Sequence, residues 1–139
     1  MNRIGEAAFL GCENLKEVKL PSTLIFLGKR TFSECISLET IELKEGIKYI
    51  DAYAFDKCKN LKNVKMPNSI EDIGYGSFLN CKNLERIEIP ESVKTIGELA
   101  FADCYKLKEI NIPNKIFNHF FILLSLDILF LKNNFNIFI

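Results

Sequence analysis

The sequence predicts an α/β-type solenoid, in which five 23-residue repeats stack and each contributes one short parallel strand, turns, and short helical or 3₁₀ pieces. Two observations predict it. Seven columns of residues keep their class at a spacing of 23 through five repeats, without an insertion. Each repeat also holds a short segment of alternating apolar residues, which ends at a proline in four of the five repeats.

The repeated columns are apolar. Five of them begin at Ile4, Leu15, Val18, Leu20 and Leu24 and recur every 23 residues. A single repeat cannot bury these side chains by itself, so the units are expected to stack and cover one another. The remaining two columns consist of Phe9, Phe32, Phe55, Phe78 and Phe101, and of Cys12, Cys35, Cys58, Cys81 and Cys104.

The strand of each repeat is predicted in the segment that corresponds to residues 15–20. Val18 and Leu20 are two residues apart, so their side chains share one face of an extended chain. A proline then ends the strand because it has no N–H group for the ladder. This proline is present in every repeat except the second, where Lys44 replaces it.

The turn of each repeat is predicted to begin at a glycine directly after the Ile4 column. A tight bend with positive φ would require glycine at these places, and Asp51 in the third repeat tolerates a similar turn. The stretch from the glycine through Ala-Phe to the cysteine is predicted to form a helical turn or a short 3₁₀ piece. The glycines are Gly5, Gly28, Gly74 and Gly97.

These motifs resemble those of the leucine-rich repeat family. Leu15-x-x-Val18-x-Leu20 matches the L-x-x-L-x-L core of that family, and the phrase GEAAFLGCENLKEVKLP is similar to the repeat of its BspA-like branch. The resemblance spans Ile4 to about Ile116. The asparagine that usually follows the strand is not kept, so a continuous asparagine ladder is not expected. Its place is taken by Thr23, Gly46, Ser69, Ser92 and Lys115.

The cysteine column is predicted to be part of the core, with free thiols. Stacked repeats would place the thiols in a row about 4.8 Å apart, and a row cannot surround one zinc ion as a tetrahedral site requires. The only histidine, His119, lies outside the repeats, so no cysteine has a neighbouring base to activate it. We therefore expect no metal site, no catalytic residues, no cofactor and no enzymatic activity.

The charges suggest a protein partner. Lys and Arg together number 18, as do Asp and Glu, and this balance argues against nucleic acid or an anionic membrane as the partner. Two strand columns alternate in sign from repeat to repeat, which predicts attraction between neighbouring repeats. One of these columns is Lys16, Glu39, Lys62, Glu85 and Lys108. The partner-binding residues are predicted to be Glu17, Lys19, Thr40, Glu42, Asn63, Lys65, Arg86, Glu88, Glu109 and Asn111.

The chain is predicted to divide into the solenoid, residues 1–116, and a hydrophobic, phenylalanine-rich tail, residues 117–139. Three interpretations of the tail remain open. It could be a helix that caps the array, because apolar residues recur at helical spacing from Phe117 to Phe135. It could contact a membrane, although residues 120–131 are too few to span one and include Asp127. It could also be a segment without a selected structure.

The predicted function is a non-enzymatic protein–protein interaction module that presents a repeat sheet surface. The BspA-like resemblance implies a cell-surface or secreted adhesin, with host or matrix proteins such as fibronectin or fibrinogen as partners. No signal peptide is visible in residues 1–9, and the cysteine column favours surroundings that keep thiols reduced. The alternative is a structural fragment of a longer array without independent activity, since neither end carries a polar cap. Open ends also suggest end-to-end self-association.

Overall fold

The structure, a computed structural model, describes residues 2–116 and 136–138. In these residues the chain forms a solenoid of parallel strands, and a strand on one side pairs with the strand 23 residues further along the chain. Helical backbone is confined, within the described residues, to positions 114–116. The predicted parallel-strand solenoid is therefore confirmed.

The first sheet has five strands, one from each repeat. The strands pair in the order β1-β2-β4-β6-β8 and remain in register, so that Leu27 lies opposite both Ile4 and Ile50. Each strand is two residues long and buries its second residue wholly or partly. The strands are β1 (Arg3–Ile4), β2 (Phe26–Leu27), β4 (Tyr49–Ile50), β6 (Asp72–Ile73) and β8 (Thr95–Ile96).

The second side of the solenoid carries three-residue strands in two separate sheets. One sheet pairs β3 with β5, and the other pairs β7, β9 and β10. A gap between β5 and β7 separates the two sheets. There the backbone nitrogen of Glu85 is 3.5 Å from the carbonyl oxygen of Lys62, which is a long hydrogen bond. The strands are β3 (Thr40–Glu42), β5 (Asn63–Lys65), β7 (Arg86–Glu88), β9 (Glu109–Asn111) and β10 (Asn136–Phe138).

The prediction of one strand per repeat is wrong, because repeats two to five each contain two strands. The strands of the first sheet are too short to show an alternating pattern. Their first residues are also chemically unrelated, from Arg3 to Phe26 to Asp72. Backbone pairing between repeats stabilises these strands, and such pairing does not depend on side-chain type.

The core lies between the two sides and consists of the predicted columns. The phenylalanine rings stack along the solenoid, with neighbouring centroids 5.1 to 5.5 Å apart and planes within 6° to 12° of parallel. Phe32, Phe55 and Phe78 have no solvent exposure. Parallel rings at this spacing follow from the exact repeat, since each ring takes the same position in its own unit.

The prediction that the column of Gly5 to Gly97 requires positive φ is wrong, because positive φ among glycines occurs elsewhere, at Gly11, Gly46 and Gly76. Three glycines of the column, Gly28, Gly74 and Gly97, are required for a different reason, whereas Asp51 occupies the same column and Gly5 has open space beside it. A Cβ on Gly97 would lie 2.4 Å from the backbone nitrogen of Tyr75, and a Cβ on Gly28 would lie 2.7 Å from the carbonyl carbon of Gly5. Glycine therefore allows the backbones of adjacent repeats to approach closely.

The predicted helical turn before each cysteine is also wrong, because this stretch forms consecutive turns. Its N–H groups alternate between two kinds of acceptor. The N–H of Ser33 donates within its own turn, to the carbonyl oxygen of Arg30, whereas the N–H of Phe32 donates to Ala54 in the next repeat at 2.8 Å. The cross-repeat bonds replace the ladder of a helix. They hold non-glycine residues such as Tyr53 and Lys57 at positive φ.

The last described strand, β10, extends the second side at its C-terminal end. It pairs in parallel with β9, so that Ile137 lies opposite Ile110. The proposed capping helix and the membrane contact of residues 120–131 fall outside the described residues. In the part of the chain that is described, no helix has the length and apolar character needed to cross a bilayer. The boundary at residue 116 stays a prediction.

Candidate protein-binding surface

The ten residues predicted to bind a partner all lie at exposed positions on the second side of the solenoid. Eight of them form the outer positions of β3, β5, β7 and β9. In each of these strands the middle residue is buried and the flanking residues are exposed. Glu17 and Lys19 occupy the equivalent exposed positions in the first repeat, where no strand is formed.

The central residues of these strands fix the orientation of the flanking ones. Ile41, Val64, Ile87 and Ile110 point into the core and are at most 9% exposed. Because side chains alternate along a strand, the residues before and after them must point away from the core. The sequence thus determines two parallel columns of outward side chains, which we call the strand face.

Charged residues of the strand face form ion pairs between adjacent repeats. Lys65 lies 3.2 Å from Glu42, and Arg86 lies 2.9 Å from Glu109. In the neighbouring column, Lys62 lies 3.6 Å from Glu39. These pairs are exposed, so each stabilises the fold only weakly. Their main effect is to fix the positions of the charges that a partner would meet.

Lys44, which replaces the proline of the other repeats, joins this network. Its ammonium group forms an ion pair with Glu42, which also binds Lys65. Hydrogen bonds from Lys44 and Lys65, with their positive charges, hold the pKa of the Glu42 carboxyl below its usual value. The residues predicted to bind a partner did not include Lys44. The sequence already distinguished it, because Lys44 stands where the other four repeats have proline.

The alternating charges are not paired across the gap between β5 and β7. Among the described residues, no ion pair joins Lys65 to Glu88 or Lys62 to Glu85. This gap coincides with the interruption of the backbone ladder. Glu39 and Glu42 are therefore paired with lysines of the next repeat, whereas Glu85 and Glu88 form no ion pair among the described residues.

Two shallow grooves lie on the strand face, one on each side of the gap. The first has a volume of about 450 Å³ and is lined by residues that include Glu42, Lys44, Lys65 and Met66. The second has a volume of about 260 Å³. It is lined by Arg86, Ile87, Glu88, Glu109, Ile110 and Asn111. Charged side chains line both grooves, with Glu42, Lys44 and Lys65 in the first and Arg86, Glu88 and Glu109 in the second.

The cysteine column lies in the core, as predicted, and its thiols are free. The thiol of Cys58 donates to the carbonyl oxygen of Phe32 at 3.1 Å, and the same contact recurs along the column. Burial raises the pKa of Cys35 to about 11 and that of Cys104 to about 12. A thiol that remains protonated at neutral pH is a weak nucleophile, so the buried members of the column act in packing.

Across residues 2–116 and 136–138, no group of three or more His, Cys, Asp and Glu side chains is placed to hold a metal ion.

The family model for the BspA type leucine-rich repeat region matches residues 1–136, with six copies of the repeat. The chain belongs to this family. The resemblance inferred from the repeat phrase is thereby confirmed. No curated protein matches the chain.

Two solved structures are similar to this BspA-type array. A leucine-rich repeat protein from T. pallidum is 38% identical, with a TM-score of 0.80 over 81% of this chain and 52% of its own. A leucine-rich repeat protein from Bacteroides ovatus is 32% identical, with a TM-score of 0.72 over 81% of this chain and 35% of its own. The matched region thus spans about half of the first protein and about a third of the second. Leucine-rich repeat proteins generally bind other proteins, and the fold suggests a protein-interaction module.

Proposed function

We propose that the chain is a non-enzymatic protein-binding module and that the strand face is its docking surface. The observation that carries the proposal is the regular display of Thr40, Asn63, Arg86 and their neighbours on short strands whose central residues are buried. Docking on such a surface costs little conformational entropy, because the backbone of each strand is already fixed by its neighbours.

The column that contains Arg86 is the best candidate for partner specificity. It reads Glu17, Thr40, Asn63, Arg86 and Glu109, so it changes from repeat to repeat where the core columns do not. Because the core is satisfied by its own columns, these exposed positions are free to vary with the partner. Arg86 is the strongest single candidate, since arginine is enriched among residues that dominate binding energy.

We further propose an adhesive role at the cell surface, with fibronectin and fibrinogen as the first partners to test. Resemblance to the BspA-like branch supports this partner class. The buried thiols are compatible with an oxidising exterior, because burial protects Cys58 and Cys81 from oxidants. Reduced surroundings are therefore not required to keep these cysteines free.

A charge-exchange experiment tests the strand face. Full-length chain and variants are compared for binding to immobilised fibronectin, fibrinogen and a panel of unrelated proteins. Arg86→Glu should weaken binding about tenfold or more. It also places two acidic groups side by side, because the partner of Arg86 is Glu109. The double variant Arg86→Glu with Glu109→Arg restores the ion pair and the thermal stability but not the charge pattern.

Binding that stays weak in the double variant supports the strand face as the docking surface. Binding that returns with the ion pair shows that Arg86 acts through stability alone. Lys106→Glu, at an exposed position outside the strand face, is the matched control and should bind as the unmodified chain does. No binding to any protein of the panel, with the chain folded, contradicts the proposed function.

A further inference from the structure

The first sheet carries exposed aromatic and arginine side chains that the strand face does not use. Tyr49 and Tyr75 are 38% and 39% exposed, and Ile25 beside them is 41% exposed. Exposed aromatic rings close to arginines are typical of protein-binding surfaces. The aromatic–arginine patch consists of Arg3, Phe26, Arg30, Tyr49, Tyr53 and Tyr75.

One row of the patch follows the register of the first sheet. Arg3 lies opposite Phe26, and Phe26 lies opposite Tyr49. The guanidinium carbon of Arg3 is 5.0 Å from the centre of the Phe26 ring, and that ring is 6.5 Å from the ring of Tyr49. Three consecutive repeats therefore contribute a cation and two rings in contact distance.

The second row lies just after the bend of each repeat. The guanidinium carbon of Arg30 is 5.5 Å from the centre of the Tyr53 ring, and Tyr75 packs edge-on against Tyr53 at 5.4 Å. The Tyr53 ring lies over Gly76, because a Cβ there would be 3.0 Å from the ring. The two rows are close along the chain, since Arg30 follows Phe26 by four residues and Tyr53 follows Tyr49 by four.

The patch carries positive charge from Arg3 and Arg30, and Arg30 is also close enough to interact with Glu34 and Asp56. Stacking on a ring uses the flat face of a guanidinium group and leaves its N–H edge free for a carboxylate. Among the described residues, none of the ion pairs includes Arg3 or Arg30. Lys29, next to Arg30 in the chain, adds a third exposed positive charge.

The opposite end of the same sheet is already neutralised. Glu71 binds both Lys48 and Lys94, and Asp72 accepts a hydrogen bond from the hydroxyl of Thr95. By contrast, Arg3, Lys29 and Arg30 bring three positive charges to the N-terminal end of the first sheet, where Glu6 is exposed and Glu34 is already paired with Lys57. An acidic partner is the complement of this end.

We propose that the aromatic–arginine patch binds an acidic peptide segment of a protein partner, independently of the strand face. Carboxylates of the segment pair with Arg3 and Arg30, and its aliphatic side chains cover the exposed parts of Phe26 and Tyr49. A nucleic acid strand fits less well, because the arginines already cover ring faces on which bases would stack.

The tyrosines provide a direct test. The chain has no tryptophan and four tyrosines, three of them in the patch. The fourth, Tyr105, lies elsewhere, with Lys82 over its ring and Asp103 on its hydroxyl. Full-length chain is labelled with 3-fluorotyrosine, and each ¹⁹F resonance is assigned by a Tyr→Phe substitution. It is then titrated with a synthetic peptide of alternating Glu and Leu.

We expect saturable ¹⁹F shifts at Tyr49, Tyr53 and Tyr75, with Tyr105 unchanged. A peptide of alternating Lys and Leu and a single-stranded oligothymidylate serve as comparison probes and should cause no saturable shift. Equal binding of the Lys–Leu peptide, binding of the oligonucleotide in place of the acidic peptide, or a shift confined to Tyr105 overturns the proposal.

Substitutions separate this site from the strand face. The double variant Arg3→Glu with Arg30→Glu should weaken the acidic peptide at least tenfold, while circular dichroism shows an unchanged fold. Arg3→Lys with Arg30→Lys keeps the charge but loses the planar guanidinium group. Its affinity for the acidic peptide should therefore lie between that of the unmodified chain and that of the Arg→Glu double variant. Arg86→Glu, on the strand face, should leave peptide binding unchanged. Unaltered affinity in the Arg→Glu double variant contradicts the proposal, whatever the outcome for the strand face.

Discussion

The two sides of the solenoid differ in how continuously their strands are joined. The first sheet pairs all five of its strands in one ladder, whereas the strands of the second side form two sheets with a gap between β5 and β7. On the first side, glycines bring adjacent backbones close together. On the second side, charged columns change from repeat to repeat. The backbone ladder is thus continuous on one side and interrupted on the other, while the exposed side chains vary from repeat to repeat on both sides.

The largest loss of stability is expected when a ring is removed from the middle of the phenylalanine stack, which lies between the two sides. Phe55 is fully buried between Phe32 and Phe78. Phe55→Ala should lower the free energy of unfolding by about 3 to 5 kcal/mol, because it removes buried surface and leaves a cavity. Urea denaturation followed by circular dichroism measures the loss. Phe9→Ala, at the partly exposed end of the stack, is the control. Equal losses in the two variants contradict the stacked core.

A single methyl group tests the close approach of the backbones. Gly97→Ala places a Cβ against backbone atoms of Gly74 and Tyr75, so it should destabilise the fold by about 1 to 3 kcal/mol. Gly5→Ala is the matched control, because nothing lies within 4 Å of the added Cβ. The comparison uses the midpoint of thermal unfolding. If both substitutions have the same effect, the glycine column does not act through contact between repeats.

The thiol column should make the fold sensitive to alkaline pH. Burial raises the pKa of Cys104 from 9.0 to about 12. Below pH 9 the thiol is protonated in both states, and its contribution to stability is complete. Between pH 9 and 12 the unfolded chain loses the proton first, so stability falls as pH rises.

The size of this effect is measurable by substitution. From pH 9 to pH 10, the unmodified chain should lose about 1 kcal/mol more stability than Cys104→Ala does, as measured by urea denaturation. The difference between the two proteins removes the contribution of lysines and tyrosines that also titrate in this range. Parallel pH profiles for the two chains exclude a buried thiol at this position.

The smallest effect is expected on the strand face. Glu42→Gln removes the ion pairs with Lys44 and Lys65, which are exposed, and should lower the midpoint of urea unfolding only slightly. The loss should shrink in 1 M salt, because exposed charges are screened. Glu88→Gln, on the other side of the gap, is the control and should be neutral. A cost for Glu88→Gln as large as that for Glu42→Gln means that the gap is bridged in solution.

The buried part of the fold could be predicted from the sequence because the exact spacing of 23 identifies every core column. Phe55, Cys58 and Leu61 are buried where the pattern places them. The exposed positions of the strand face, such as Thr40 and Arg86, followed from the same alternation. Whether they bind a partner stays a prediction.

Features that depend on contact between repeats could not be predicted. The spacing shows that a glycine recurs, but not that Gly97 faces the backbone of Tyr75. Likewise, Tyr53 and Lys57 adopt positive φ without any local preference for it, because hydrogen bonds to the next repeat hold them there. The gap between β5 and β7 is not marked in the sequence by any change in the 23-residue spacing.

The hydrogen bonds that join each turn to the next repeat have a mechanical consequence. These bonds run along the stacking direction, so a force applied along that direction is carried by every interface at once and the weakest interface separates first. Each released repeat of 23 residues adds roughly 75 to 80 Å of extended chain. Under tension the chain should therefore lengthen in small, even steps, as a tether that absorbs load gradually.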